Sequence, residues 1–238
     1  MININIIYDI TDFIIPYHIL SHNIIMEQLF THNQYNRMNK FCTKIEIDYE
    51  KNIRIPQTVT YLMLLSENKI TMPQNITYLH IDSYYINNYK LPINIEYFDM
   101  ENSNITRNII LPYSVTHLIV SKNIFKLKLH SNVTHLKFSQ NFNEFIIIPY
   151  HITHLIFGDY FNQKIIIPKN VIHLTFGKWF KQPITIPPNI THLTFKLKYV
   201  IHIKVPSTVT QLVLPCNMYK NNKITKIKTH KNTKIIYS

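Results

Sequence analysis

A unit of the form Pro-x-x-[Val/Ile]-Thr-[His/Tyr]-Leu-x-[apolar] recurs through most of this chain of 238 residues. It begins at Pro56, Pro73, Pro92, Pro112, Pro149, Pro168, Pro187 and Pro206, with His130 in the one vacant place. Successive starts lie 17, 19, 20, 18, 19, 19, 19 and 19 residues apart. So short a segment cannot bury an apolar face alone, and a fixed period of this length dictates a stacked array in which neighbours cover one another. Composition closes off the alternatives. There is no alanine and there are only 2 glycines, Gly158 and Gly177. Helix bundles fit poorly, because alanine is the best helix former and glycine the usual helix stop. The same scarcity excludes the glycine-rich phosphate cradles.

The unit from Pro149 to Ile167 reads most clearly. Leu155 and Phe157 flank one residue, which is the alternation of a strand with one face inward. Ile152 points inward as the chain approaches the strand, and Phe161 and Ile165 bring the chain back to the core. Pro168, with its fixed φ and no N–H donor, suits the next corner. The coil is therefore a short strand, a turn, an irregular return and a proline corner, and successive strands stack about 4.8 Å apart in a parallel sheet. In the following coil the expected inward set is Val171, Leu174, Phe176, Phe180 and Ile184. The fold class is a β-rich repeat solenoid.

The pairs Phe142-Asn143…Ile148-Pro149 and Phe161-Asn162…Ile167-Pro168, each followed by [Val/Ile]-x-His-Leu-x-Phe, resemble FNIP (IP22) repeats. These are short relatives of leucine-rich repeats, common in amoebae and their giant DNA viruses. The resemblance covers residues 56–214 and is strongest from Pro112 to Phe195. Phe180-Lys181 lacks the asparagine, and the units from Pro56 to Pro92 lack the Phe-Asn pair, so different backs are expected there. What the resemblance implies is a leucine-rich-repeat-like solenoid that binds protein and carries no catalytic residues.

Residues 1–55 are expected to be a cap of degenerate repeats, 56–214 the repeat solenoid and 215–238 a basic cap or tail. Ile14-Ile15-Pro16-Tyr17-His18-Ile19 duplicates Ile147-Ile148-Pro149-Tyr150-His151-Ile152, and Cys42-Thr43-Lys44-Ile45-Glu46-Ile47 fits the strand motif. Members of the resembled family often begin with an F-box, whose start Ile15-Pro16-Tyr17-His18-Ile19-Leu20 faintly matches; that would make the chain a ubiquitin-ligase substrate adaptor. Near the other end, Lys and Thr alternate with Ile, as in a final edge strand guarded by lysine. The first residues lack a secretory signal, and no apolar run reaches the roughly 18 residues of a membrane span. Cys42 and Cys216 form no disulfide framework, which fits a reducing compartment. The expectation is an intracellular, cytoplasmic protein without membrane contact, so the sequons at Asn75, Asn104, Asn132 and Asn189 carry no glycan; three of them coincide with the repeat.

Outward on the sheet face, the residue before the strand leucine is Tyr61, Tyr78, Tyr97, His117, His135, His154, His173, His192 and Gln211 in turn. This column is the expected partner-binding surface. A second column, Met63, His80, Asp99, Ile119, Lys137, Ile156, Thr175, Thr194 and Val213, varies from coil to coil and is where specificity is expected. Duplication of one repeat is enough to produce a histidine ladder, and zinc needs three or four converging ligands, so no metal is assigned. Glu46, Asp48 and Glu50 share a strand face with no partner histidine implied and read as a solvated face. Neither G-x-S-x-G nor an activated cysteine is present, so no catalytic residue and no cofactor are assigned, and the chain reads as a non-enzymatic interaction scaffold.

The alternative reading is electrostatic. The net charge is +12, yet residues 1–159 hold 12 basic and 13 acidic side chains, whereas residues 160–238 hold 13 lysines and no carboxylate. Lys196, Lys198, Lys204, Lys220, Lys223, Lys226 and Lys228 are the candidate contacts for nucleic acid or another polyanion. Arginine, the preferred reader of bases and phosphates, occurs only at Arg37, Arg54 and Arg107. A solenoid keeps sequence order in space, so a cationic C-terminal end is expected, facing an acidic partner or the Glu46-Asp48-Glu50 face of another copy.

Overall fold

The computed structural model describes residues 44–47, 55, 57–65, 71–82, 90–101, 103, 108–122, 124, 127–197, 203–216 and 227–237. They fall into two compact units that meet in sequence between Val133 and Thr134. In the first unit, β1 (Lys44–Ile47), β2 (Tyr61–Leu64), β3 (Tyr78–Ile81), β4 (Tyr97–Met100) and β5 (His117–Val120) pair in that order, all parallel. The second unit orders β6 (His135–Phe138), β7 (His154–Ile156), β8 (His173–Phe176), β9 (His192–Phe195), β11 (Gln211–Leu214) and β13 (Lys234–Tyr237) into a parallel sheet. Its β10 (Ile203–Lys204) and β12 (Ile227–Lys228) form a separate parallel pair. No helix among the described residues is long and apolar enough to cross a membrane.

Each coil is built by short-range rules. The repeated Pro-x-x-[Val/Ile] is a tight turn: Ile152, Val171 and Ile190 donate N–H to the carbonyls of Pro149, Pro168 and Pro187 at 3.2, 3.2 and 3.3 Å. His130 closes the same turn with Val133, and its ring stacks on Tyr113 while Nε2 donates to the Pro112 carbonyl at 2.9 Å. Past the turn, one carbonyl of the preceding coil accepts two successive amides. Thr153 N and His154 N both donate to Thr134 O, and Ile172 N and His173 N both donate to Thr153 O. That shared carbonyl sets the register, so His154 stands opposite His173 and Leu155 opposite Leu174.

Phenylalanine dominates the core of the second unit. Phe138, Phe157, Phe176 and Phe195 stack at centroid distances of 5.4, 5.3 and 5.7 Å, and Phe142, Phe161 and Phe180 form a parallel file at 6.1 and 6.2 Å. In the first unit the corresponding end of the strand is aliphatic: Leu64, Ile81, Met100 and Val120, all buried. A large side chain of this kind contributes roughly 1.5–3 kcal/mol on full burial. One inward assignment needs correction. Ile165 and Ile184 are only half-buried, whereas Ile167 and Ile186, beside the prolines, are each 6% exposed. The return segment is extended and alternates, so the residue enclosed at the corner is the one next to proline.

The Phe-Asn pair has a mechanical role. Asn143 Oδ1 accepts the amide of Asn162 at 2.8 Å, and Asn162 Oδ1 accepts the amide of Lys181 at 2.8 Å. Gln163 and Gln182 return Nε2 donors to the Asn143 and Asn162 carbonyls. The ladder stops in sequence where Lys181 replaces asparagine. The sequon residues are structural in the same way: Asn132 and Asn189 donate Nδ2 to the turn carbonyls of Tyr113 and Lys169 at 2.9 and 2.8 Å, and Asn75 donates to that of Gln57. Asn104 lies outside the described residues.

Stacking continues beyond Leu214. β13 pairs with β11 in register, Gln211 opposite Lys234, with 23 residues in that coil instead of 19. At the other end, β1 sets Lys44 opposite Tyr61, the register of a repeat unit. Residues 1–43, including the F-box-like start, and residues 48–54, including Asp48 and Glu50, lie outside the described residues.

The two glycines occupy a place just after the strand where coils approach too closely for a side chain. A Cβ on Gly158 would lie 1.9 Å from the Ser139 carbonyl oxygen, and one on Gly177 2.2 Å from that of Gly158. Both obstacles are backbone. Gly158→Ala is therefore expected to destabilise the second unit by about 1–3 kcal/mol, the range typical of overpacking. Chemical denaturation would register this as a lower midpoint, and an unchanged midpoint would contradict the close approach.

Candidate protein-binding face

The register places the first outward column in line. In the first unit Tyr61 and Tyr78 stack at 4.2 Å and 2°, Tyr78 and Tyr97 at 6.3 Å, and Tyr97 and His117 at 4.1 Å. In the second, His135 and His154 stack at 3.9 Å and His173 and His192 at 4.1 Å, while His154 and His173 meet at 4.3 Å with their rings tilted. Gln211 stands next to His192 in register. Tyr61 is buried and the rest of the column is half-buried.

Threonine fixes these rings. Thr116, Thr134, Thr153 and Thr191 set Oγ1 2.8, 2.9, 2.8 and 2.9 Å from Nδ1 of the following histidine. Thr116, Thr153 and Thr191 also direct the hydroxyl towards a carbonyl of the preceding coil, at 3.4, 3.3 and 3.3 Å. With the hydroxyl hydrogen on that carbonyl, histidine Nδ1–H donates to Oγ1. At His173 the preceding residue is Ile172, which has no hydroxyl, and the ring there tilts 44° from that of His154. Thus the Thr-His dipeptide, which the sequence presents as mere repetition, is an orienting device.

Stacked rings carry their nitrogens side by side rather than towards one point. Among the described residues no group of three or more His, Cys, Asp or Glu side chains could hold a metal ion. The second column is less available than its variability suggests. Thr175, Thr194 and Val213 are 7%, 5% and 6% exposed, and only Met63, Ile119, Lys137 and Ile156 are half-buried.

His80 and Asp99 of this second column form a buried hydrogen-bonded pair, Nδ1 to Oδ2 at 3.0 Å, which becomes an ion pair when His80 is protonated. Asp99 Oδ1 also accepts the Glu101 amide at 2.9 Å. Sequence reasoning placed these residues on the sheet face but not their pairing; their adjacency in the period was the available signal. Burial acts to lower the His80 pKa, but the hydrogen bond and charge of Asp99, with Asp82 and Glu101 behind it, outweigh burial and raise it. Tyr78 is pushed well up, first by burial and then by Asp99 and Tyr61, so its phenol stays neutral. Burial and then Glu96 raise Tyr97 as well.

Of the lysines assigned to a polyanion, Lys196 is half-buried and Lys204, in β10, is exposed. Lys228 is placed by its backbone in β12, and Lys198, Lys220, Lys223 and Lys226 lie outside the described residues. Glu46 is placed by its backbone in β1, opposite Met63.

The raised His80 pKa has a consequence for stability. A raised folded-state value stabilises below the unfolded value of about 6.5, and that stabilisation is lost as pH rises through the folded value. Between about pH 6 and about pH 8 the wild type should therefore lose more stability than His80→Gln. Parallel denaturation curves at the two pH values check this, and an equal loss in both proteins would contradict the pairing.

Comparison with known proteins agrees with this architecture. The FNIP Repeat family matches residues 122–160 and 161–198. The crystal structure of CroV588, described as a novel circular LRR protein, is similar with a TM-score of 0.54 and 29% identity, over 81% of this chain and 36% of that one. The chain thus spans about a third of that protein's length. No curated protein matches. Residues 122–198 thus match the FNIP Repeat, and each of the two units has the parallel stacked coils of a leucine-rich-repeat-like solenoid.

Proposed function

We propose that the chain is a non-enzymatic scaffold that binds a protein partner on its sheet faces. The observation that carries this is the fixed ring column, above all His135, His154, His173 and His192 at 3.9–4.3 Å. Side chains already held by threonine and by their neighbours lose little freedom on association, and preorganisation of this kind converts contact area into affinity. Met63, Ile119, Lys137 and Ile156 beside the column supply what differs between coils. Repeat solenoids commonly use such extended faces for binding. A ligase-adaptor role rests on residues 1–43 and on the F-box resemblance alone. The exposed free thiol of Cys216 suits a reducing, cytoplasmic setting.

The second reading, polyanion binding, is favoured by one specific observation: the 13 lysines and absent carboxylates of residues 160–238. Salt separates the two. Polyanion binding weakens steeply with ionic strength, whereas a preorganised protein contact centred on imidazoles and short polar groups does not.

The test is affinity purification with the full chain and the double variant His154→Ala/His192→Ala, followed by binding measurements on whatever is retained. Loss of a ring contact at each site should weaken a sheet-face partner at least about tenfold, about 1.4 kcal/mol. The variant should keep the wild-type thermal transition. Equal affinity for both proteins, or retention abolished by moderate salt in both, would contradict the sheet-face reading.

A further inference from the structure

The return segments of the second unit carry a surface that the sheet-face reading leaves unused. Phe145 and Ile147 are 75% and 79% exposed, and Tyr150, just past the corner, is 74% exposed. One coil on, the same three places hold Lys164, Ile166 and Lys169; Ile166 is 89% exposed and both lysines are exposed. The next coil offers Pro183, Thr185 and Pro188, all exposed. The Asn143-to-Asn162 and Asn162-to-Lys181 amide bonds tie these coils together at one end of the segment, so the places lie abreast.

Contiguous exposed apolar side chains of this size mark an interaction surface. Their form selects the partner. These side chains stand out from the extended segments of adjacent coils, as their exposures require. Protruding Phe, Ile and Tyr with lysine alongside is the chemistry of the lipid interface, where apolar groups enter the headgroup–acyl boundary and lysine stems lie along it. Charge agrees. The nearby carboxylates are Glu144, beside Phe145, and Asp159, which Lys178 engages at 2.6 Å. No acid follows Asp159 in the chain.

We propose that this face docks on an anionic lipid membrane, with Phe145, Ile147 and Ile166 inserted and Lys164 and Lys169 against the lipid charges. The absence of a spanning segment bears on crossing a bilayer, not on resting against one. This surface is distinct from the ring column and stands whether or not a protein binds there.

The experiment is vesicle flotation of the full chain with phosphatidylcholine alone and with about one-third phosphatidylserine added. Wild type should float with the anionic vesicles and bind the neutral ones far less. Phe145→Ser/Ile147→Ser/Ile166→Ser should lose at least about tenfold, and Lys164→Gln/Lys169→Gln about 30-fold. These side chains are exposed, so both variants should keep the wild-type thermal midpoint, while His154→Ala/His192→Ala should bind vesicles as wild type does. Failure of the wild type to bind anionic vesicles overturns the proposal. So does full binding by the triple serine variant, which would assign the interaction to the lysine-rich end alone. If the wild type ignores vesicles but self-associates, and the triple variant is monomeric, a second copy occupies this face and the lipid assignment fails.

Discussion

Everything in the two units depends on one contact: a carbonyl of each coil that accepts two successive amides of the next. Thr134 O, Thr153 O, Ile172 O and Thr191 O each do this for the residues that lead into the following strand. Because the acceptor occupies the same place in every repeat, the register is reset once per coil and errors do not accumulate. Stacking of Phe157 on Phe176, of His173 on His192 and of Gly177 against Gly158 then follows without further specification. Hydrophobic burial supplies the driving force, while the shared carbonyl decides which residues meet.

The same contact explains how a structural repeat becomes a surface. An outward residue repeated at constant register must stack on its own copies, so Tyr and His columns arise from duplication alone. Holding them is a separate matter, and the chain spends a threonine on it beside four of the five histidines. Where Ile172 interrupts that pattern, the adjacent ring tilts. Inward, the same logic appears as a choice of filling. Phenylalanine fills the strand end in the second unit, where Gly158 and Gly177 follow Phe157 and Phe176 and let the backbones approach. The first unit uses smaller aliphatic residues and places serine there: Ser121 Oγ donates to Ser103 O and Ser103 Oγ to Ile81 O.

Much of this was legible in the sequence. Period, strand position and proline corner follow from residue spacing, because each depends on interactions within one unit or between identical units. What escaped depends on unlike neighbours. Ile167 rather than Ile165 is enclosed because of how the corner is covered, which three similar residues in a row cannot reveal. The final coil reached by β13 was obscured by its 23-residue length and by lysine in place of histidine. The His80–Asp99 pair joins two positions that read separately as variable surface. Low exposure at Thr175 and Thr194 is not foretold by their polarity.

If register is set once per coil, an entire period is removable. Deleting residues 154–172 joins Thr153 to His173 and would bring Ser139 against Gly177, the same approach that Ser139 makes to Gly158. Circular dichroism with thermal denaturation of that variant tests the account most directly. A strand-type spectrum and one cooperative transition close to that of the full chain are expected, whereas deleting only residues 154–163 should abolish the transition. Loss of folding on removal of the full period, or equal tolerance of both deletions, would contradict it.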